Sequence, residues 1–122
     1  MKHLSLSYQA FEVLEELRQR WEISVSEMAM LMCIGRTSYY RLLRELDTGK
    51  SVLSNDYDLR IQAVLSVLCR KQRKFPLPKG RTARDKQISI LYNAISKYKP
   101  AKPGLVSTES LLFRALQLTG ES

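Results

Sequence analysis

Apolar residues recur along most of this chain at the three- and four-residue spacing of amphipathic helices. No stretch alternates apolar with polar residues between turn signals as a half-buried strand requires. Over residues 7–20, Phe11, Leu14 and Leu17 form one stripe, continued by Trp21, with Glu12, Glu15, Glu16 and Arg18 on the other faces. A break at 23–26 supplies Ser24 or Ser26 as the cap of a short second helix ending near Met32, with Glu27 in its first turn to complement the dipole. A third helix, 36–46, carries Tyr39, Leu42, Leu43 and Leu46 and stops at Asp47-Thr48-Gly49. Asp56 can cap a fourth, whose apolar side is Ile61, Val64, Leu65, Leu68 and Phe75 and which Pro76 and Pro78 end. A fifth, 83–98, has Ile88, Leu91, Tyr92 and Ile95 before Pro100 and Pro103, and a sixth, 107–118, presents Leu111, Leu112, Ala115 and Leu118 before Gly120. The expected fold class is all-α: a helix-turn-helix bundle of about four helices, then a smaller helical part. The interruption at 75–81 divides the chain into 1–76, a helix-turn-helix domain, and 77–122, a basic arm with C-terminal helices for dimerisation or partner binding.

Residues 21–46 carry the functional argument. Two helices that cross steeply about a tight turn need a small residue in the first where the second packs over it, and Ala29 fits that place. The apolar residues that would close the core around it are Met28, Met32, Ile34, Tyr39 and Leu42. The turn position that favours glycine holds Cys33. Either Cys33 takes a positive φ at a cost of about 1 kcal/mol, or Gly35 takes the unusual conformation instead. In this register Arg36, Thr37, Ser38, Tyr40, Arg41 and Arg44 face outward, while Tyr39 belongs to the core. Arg can pair bidentately with guanine, Thr and Ser reach phosphates or bases, and Tyr offers a hydroxyl and a flat apolar face. The plainer reading of the same residues is a solvated helix face.

Length and composition narrow the class of protein. One domain of 122 residues, 44% hydrophobic and 26% charged, is ordinary globular composition. No window approaches the roughly 18 apolar residues of a membrane span, and no secretory leader follows Met1, so a cytoplasmic protein is expected. Cys33 and Cys69 lie in apolar runs and read as reduced core thiols. The net charge is +8, and its distribution is uneven. Residues 1–56 hold seven basic and eight acidic side chains, 57–104 hold twelve and two, and 105–122 hold one and two. The densest stretch contains Arg70, Lys71, Arg73, Lys74, Lys79, Arg81, Arg84 and Lys86 against Asp85 alone. An extended basic arm drawn from it, with Arg73, Lys74, Lys79, Arg81 and Arg84, can track phosphates or enter a minor groove. It would also suit RNA, an acidic protein, or solubility alone.

The stretch Ser26-Glu27-Met28-Ala29 leading to Met32-Cys33-Ile34-Gly35-Arg36-Thr37-Ser38-Tyr39-Tyr40-Arg41, with Leu53-Ser54-Asn55-Asp56, Arg60-Ile61, Leu68 and Phe75-Pro76, resembles the helix-turn-helix half of the Xre/MbcA/ParS antitoxin family. The resemblance covers roughly residues 9–76. It implies a DNA-binding repressor of its own operon that also neutralises a partner toxin. Residues 80–122 depart from the family pattern, since Tyr92-Asn93-Ala94 and Lys102-Pro103-Gly104 stand where a Trp-Leu, a proline and a Gly-rich turn are usual.

Catalysis is not expected. The only histidine is His3, no His/Cys/Asp/Glu cluster has metal spacing, no Gly-rich phosphate loop occurs, and adjacent Glu15 and Glu16 read as solvated surface. The expectation is a sequence-specific regulator of transcription without metal or cofactor, binding double-stranded DNA as a homodimer. The sixth helix, with Leu111, Leu112 and Phe113, or the first would form the dimer surface. The alternative is a protein-interaction module in which the fifth and sixth helices form a partner groove.

Overall fold

The computed structural model describes residues 6–48 and 55–98. Its regular structure is wholly helical: α1 Leu6–Arg20, α2 Val25–Leu31, α3 Arg36–Thr48, α4 Asn55–Arg70 and α5 Arg81–Lys97, with a single 3-10 turn at Gln72–Lys74. Among the described residues there is no strand, so the chain is an all-α bundle as its periodicity requires. The helix expected at 107–118 and the lone His3 lie outside the described residues. No helix among the described residues is long and apolar enough to cross a membrane.

Local chemistry sets the ends. Ser24 is the residue that caps α2: its Oγ accepts from the Glu27 N–H at 3.0 Å, and the Glu27 carboxylate accepts from the Ser24 N–H at 2.9 Å, a reciprocal capping box. α1 and α2 then stop by one device. The Ile23 N–H donates to the Arg18 carbonyl and the Glu22 N–H to that of Gln19; Ile34 and Cys33 do the same toward Ala29 and Met30. These are Schellman motifs, which need a left-handed residue at the first position past the helix. Glu22 has φ 56° and Cys33 φ 59°. Of the two geometries open for the second turn, the chain therefore uses a strained Cys33, and Gly35 serves as the residue before α3.

α4 is the centre of the bundle. Every residue from Ile61 to Cys69 is buried, because α1 packs on one side of it and α5 on another. A helix covered this fully shows no clean stripe, which is why its sequence pattern ran on misleadingly to Phe75. The helix in fact ends at Arg70, and after the 3-10 turn Phe75 lies flat on Trp21, ring centroids 4.3 Å apart at 8°. Phe75-Pro76 is a cis peptide.

Two further expectations need correction. The division at 76/77 is crossed by one apolar cluster: Leu77, Ile88, Leu91 and Ile95 join the residues of α1, α2, α3 and α4 in the same core. The cause is α5, which packs on both α4 and α2. Glu15 is not solvated surface either. It is buried, and its carboxylate accepts from Arg18 at 2.6 Å through both Nε and Nη2, from Gln19 at 2.7 Å and from the Tyr39 hydroxyl at 2.8 Å. Glu16 alone is exposed. The cysteines also divide: Cys69 is buried as expected, Cys33 is exposed, and neither is in a disulfide.

Burial works to raise the Glu15 carboxyl, but the hydrogen bonds from Arg18, Gln19 and Tyr39 outweigh it and hold the group below its ordinary 4.5. A depressed folded-state value gives stability that is complete above the unfolded value and is lost as pH falls through the folded one. Glu15→Gln is therefore expected to cost about 2–3 kcal/mol at neutral pH. In urea titrations the gap from the parent protein should close as pH drops below 4.5; a gap that stays constant down to acid pH would show that the charge of Glu15 is irrelevant.

Candidate nucleic-acid interface

The α2–α3 unit is built around Ala29. Ala29, Met28, Met32, Tyr39 and Leu42 are all buried and Ile34 packs against them half-buried, so the six positions that set the register occupy the core. Tyr39 is held from two sides. Its ring meets Phe11 edge-on at 5.2 Å and its hydroxyl donates to Glu15. Burial first, and the negative Glu15 beside it, push that hydroxyl far above the usual tyrosine range, so it stays a proton donor. A second tie runs from the Tyr8 hydroxyl to Glu45. α3 is thus pinned along its inner edge to α1.

Pinning one face fixes the other. Arg36, Thr37, Tyr40, Arg41 and Arg44 are exposed, and Ser38 is half-buried at the margin. The 49% exposure of Tyr40 is high for an aromatic and leaves its ring available to a partner. Arg41 is 48% exposed and partly engaged: one guanidinium nitrogen donates to the Tyr57 hydroxyl at 2.9 Å, the group lies 5.8 Å from the Tyr57 ring, and Glu45 is 3.8 Å away. These contacts hold the guanidinium at the solvent edge of α3.

The basic block does not act as one unit. Arg73, Lys74, Lys79 and Arg81 are exposed, with Arg81 95% so and 4.0 Å from Asp85, itself 70% exposed. Arg84, expected among the phosphate contacts, is otherwise employed. Its guanidinium is 20% exposed and forks onto Glu27 at 2.7 and 2.8 Å, with further bonds to the carbonyls of Glu22 at 2.6 Å and Pro78 at 3.4 Å. The Glu27 carboxyl is accordingly held below its usual value, chiefly by the Arg84 hydrogen bonds. Arg84 therefore fastens α5 to the capping box of α2.

Arg60 is a structural cation of the same kind that the sequence reading gave no role. From α4 it donates to the carbonyls of Met32 at 3.0 Å and Cys33 at 3.1 Å while Asp56 holds its Nε at 2.9 Å. It satisfies the carbonyls that the end of α2 leaves open. Its spacing from Asp56 was a visible signal for the ion pair, but its target across the bundle was not.

Among the described residues no group of three or more His, Cys, Asp or Glu could hold a metal ion. The apolar side of α1 is spent on the core, and among its described side chains the exposed ones, Gln9, Glu12, Glu16, Gln19 and Arg20, are polar. The sixth-helix candidates Leu111, Leu112 and Phe113 lie outside the described residues. Compared with family models, with curated proteins and with solved structures, the chain has no match.

The assignment of Arg84 has a direct check. Arg84→Ala is expected to lower stability by about 1–3 kcal/mol, since it strips a bidentate partner from a mostly buried carboxylate. Lys79→Ala and Arg81→Ala should stay within about 0.5 kcal/mol of the parent in chemical denaturation. Equal, small effects at all three positions would return Arg84 to the exposed basic set.

Proposed function

We propose that the chain is a sequence-specific DNA-binding regulator of transcription, a cytoplasmic homodimer that inserts α3 into the major groove. The observation that carries this reading is the pairing of a sequestered inner face of α3 with an outer face of Arg36, Thr37, Tyr40, Arg41 and Arg44. That outer face bears three guanidinium groups, two hydroxyls and a flat ring; of the carboxylates of α3, Glu45 is tied to Tyr8 and Asp47 is exposed among the arginines. Such side chains on a helix standing clear of its bundle suit base edges and flanking phosphates. The exposed cations Arg73, Lys74, Lys79 and Arg81 add a second, sequence-independent attraction to the duplex. Twofold pairing would extend a site that one short helix reads over only a few base pairs. The resemblance to the Xre/MbcA/ParS antitoxins gives the regulator its proposed sign, a repressor, and its proposed second partner, a toxin protein.

Two measurements test the reading on duplexes selected by the chain from a randomised library. Arg41→Ala is expected to weaken binding to a selected duplex by about 1–3 kcal/mol while sparing random DNA. Equal loss on both would remove Arg41 from base recognition, and failure to select any duplex would end the DNA-binding reading. Replacing Arg73, Lys74 and Arg81 together by Ala should lower affinity on every duplex and reduce the slope of log K against log salt by about 2 to 3. An unchanged slope would take this corner off the interface.

A further inference from the structure

α5 lies alongside α2 with an open groove between them. The groove has a volume of about 720 Å³ and is lined by Ser26 and Met30 of α2, by Ser89, Tyr92 and Asn93 of α5, and by Arg36 at the start of α3. Arg84 and Glu27 close one end of the α2–α5 contact, so the two walls are held at fixed separation and the groove is part of the fold. No carboxylate lines it. Beside an apolar floor of Ala29, Met30 and Ile34 it offers neutral polar groups, the hydroxyls of Ser26 and Ser89, that of Tyr92, which accepts from Cys33 Sγ at 3.7 Å, and the amide of Asn93, with one guanidinium where it meets α3. That combination is the chemistry by which side chains bind phosphate and sugar oxygens, positioning a protein on a duplex without reading its sequence.

We infer that this groove seats the sugar-phosphate strand bordering the major groove that α3 enters, making α5 a part of the DNA interface. The inference rests on the function proposed above. Its geometric argument is continuity: Arg36 belongs at once to the exposed face of α3 and to the wall of the groove, so a duplex engaged by α3 has its flanking strand at the mouth of the α2–α5 groove. Ser89 and Asn93 are exposed and one helical turn apart, so they can meet neighbouring phosphates along one strand. Nothing in the sequence patterning of residues 83–98 pointed there, because these are small polar residues outside the basic block.

The test uses the full chain and a duplex it selects from a randomised library. Ser89→Asp with Asn93→Asp places two negative charges where phosphates would lie, and is expected to weaken binding about tenfold or more at low salt, less as salt rises. Ser89→Lys with Asn93→Lys is expected to strengthen it by a like factor. Both pairs lie on the solvent side of α5, and a helical circular-dichroism melt close to the parent's shows that they fold. Cys33 supplies a second readout, since it borders the groove and is exposed while Cys69 is buried. Saturating duplex should slow its alkylation by iodoacetamide. Parent affinity in both charge variants, or unslowed alkylation of Cys33, overturns the inference; if Arg41→Ala still abolishes cognate preference, the α3 reading survives it. An aspartate pair that changes the mass in light scattering but not DNA affinity also overturns it, and makes the groove a surface between copies. Failure to select any duplex removes the inference together with the reading on which it stands.

Discussion

The buried carboxylate of Glu15 is the contact on which the presentation of α3 depends. A carboxylate in the core of a small bundle would cost several kcal/mol if it lacked partners, so its four short hydrogen bonds are a condition of the fold. They also constrain direction. Arg18 holds the carboxylate from the same helix and donates onward to the Ile23 carbonyl, which fixes the exit of α1. Tyr39 reaches it from α3, so the rotation of α3 about its own axis is set by a hydrogen bond of defined geometry as well as by apolar packing. An apolar core alone tolerates repacking; a satisfied polar network specifies one arrangement. With Tyr39 fixed inward, Arg36, Tyr40, Arg41 and Arg44 have no direction to face except solvent.

The turns at Glu22 and Cys33 carry the same logic into the backbone. Each is a left-handed residue with a side chain where glycine would be unstrained, and each leaves an isoleucine, Ile23 or Ile34, as the following apolar anchor. The helix end at Cys33 is further secured from outside by Arg60, and the helix start at Ser24 by Arg84 through Glu27. α2 is thus clamped at both ends by guanidinium groups from α4 and α5. A helix of seven residues is marginal by itself, and this one is a fixed strut between its neighbours. The clamps engage the guanidinium groups of Arg60 and Arg84 within the protein itself.

Much of this was legible in the sequence, for a definite reason. The period of Phe11, Leu14 and Leu17, the spacing of apolar residues about Ala29 and the Ser24 to Glu27 capping pair are local signals, and local signals report helices, their faces and their starts. What they could not report is which polar residue another element would reach. Glu15 carried the same spacing signal as Glu16, yet one is the centre of the core network and the other is solvated. Arg84 looked like Arg81 in composition and sits in an ion pair, while Arg81 stands in solvent. Cys33 looked apolar because its neighbours are, and is exposed because the turn lifts it from the core. The boundary at 76/77 failed for a related cause: two prolines and Gly80 mark a break in helix, not in packing, and α5 folds back onto the core laid down before the break.

The exposed charges sort by position along α4. Its N-terminal part touches the α2–α3 turn through Arg60; its C-terminal end carries Arg70 and leads into Arg73 and Lys74. Ten residues of helix at 1.5 Å each place these two regions about 15 Å apart. That exceeds the screening length of about 8 Å at physiological salt, so Arg60 and Arg70, at the two ends of this stretch, are electrostatically independent of one another. A compact anion could neutralise one of them and would leave the other untouched.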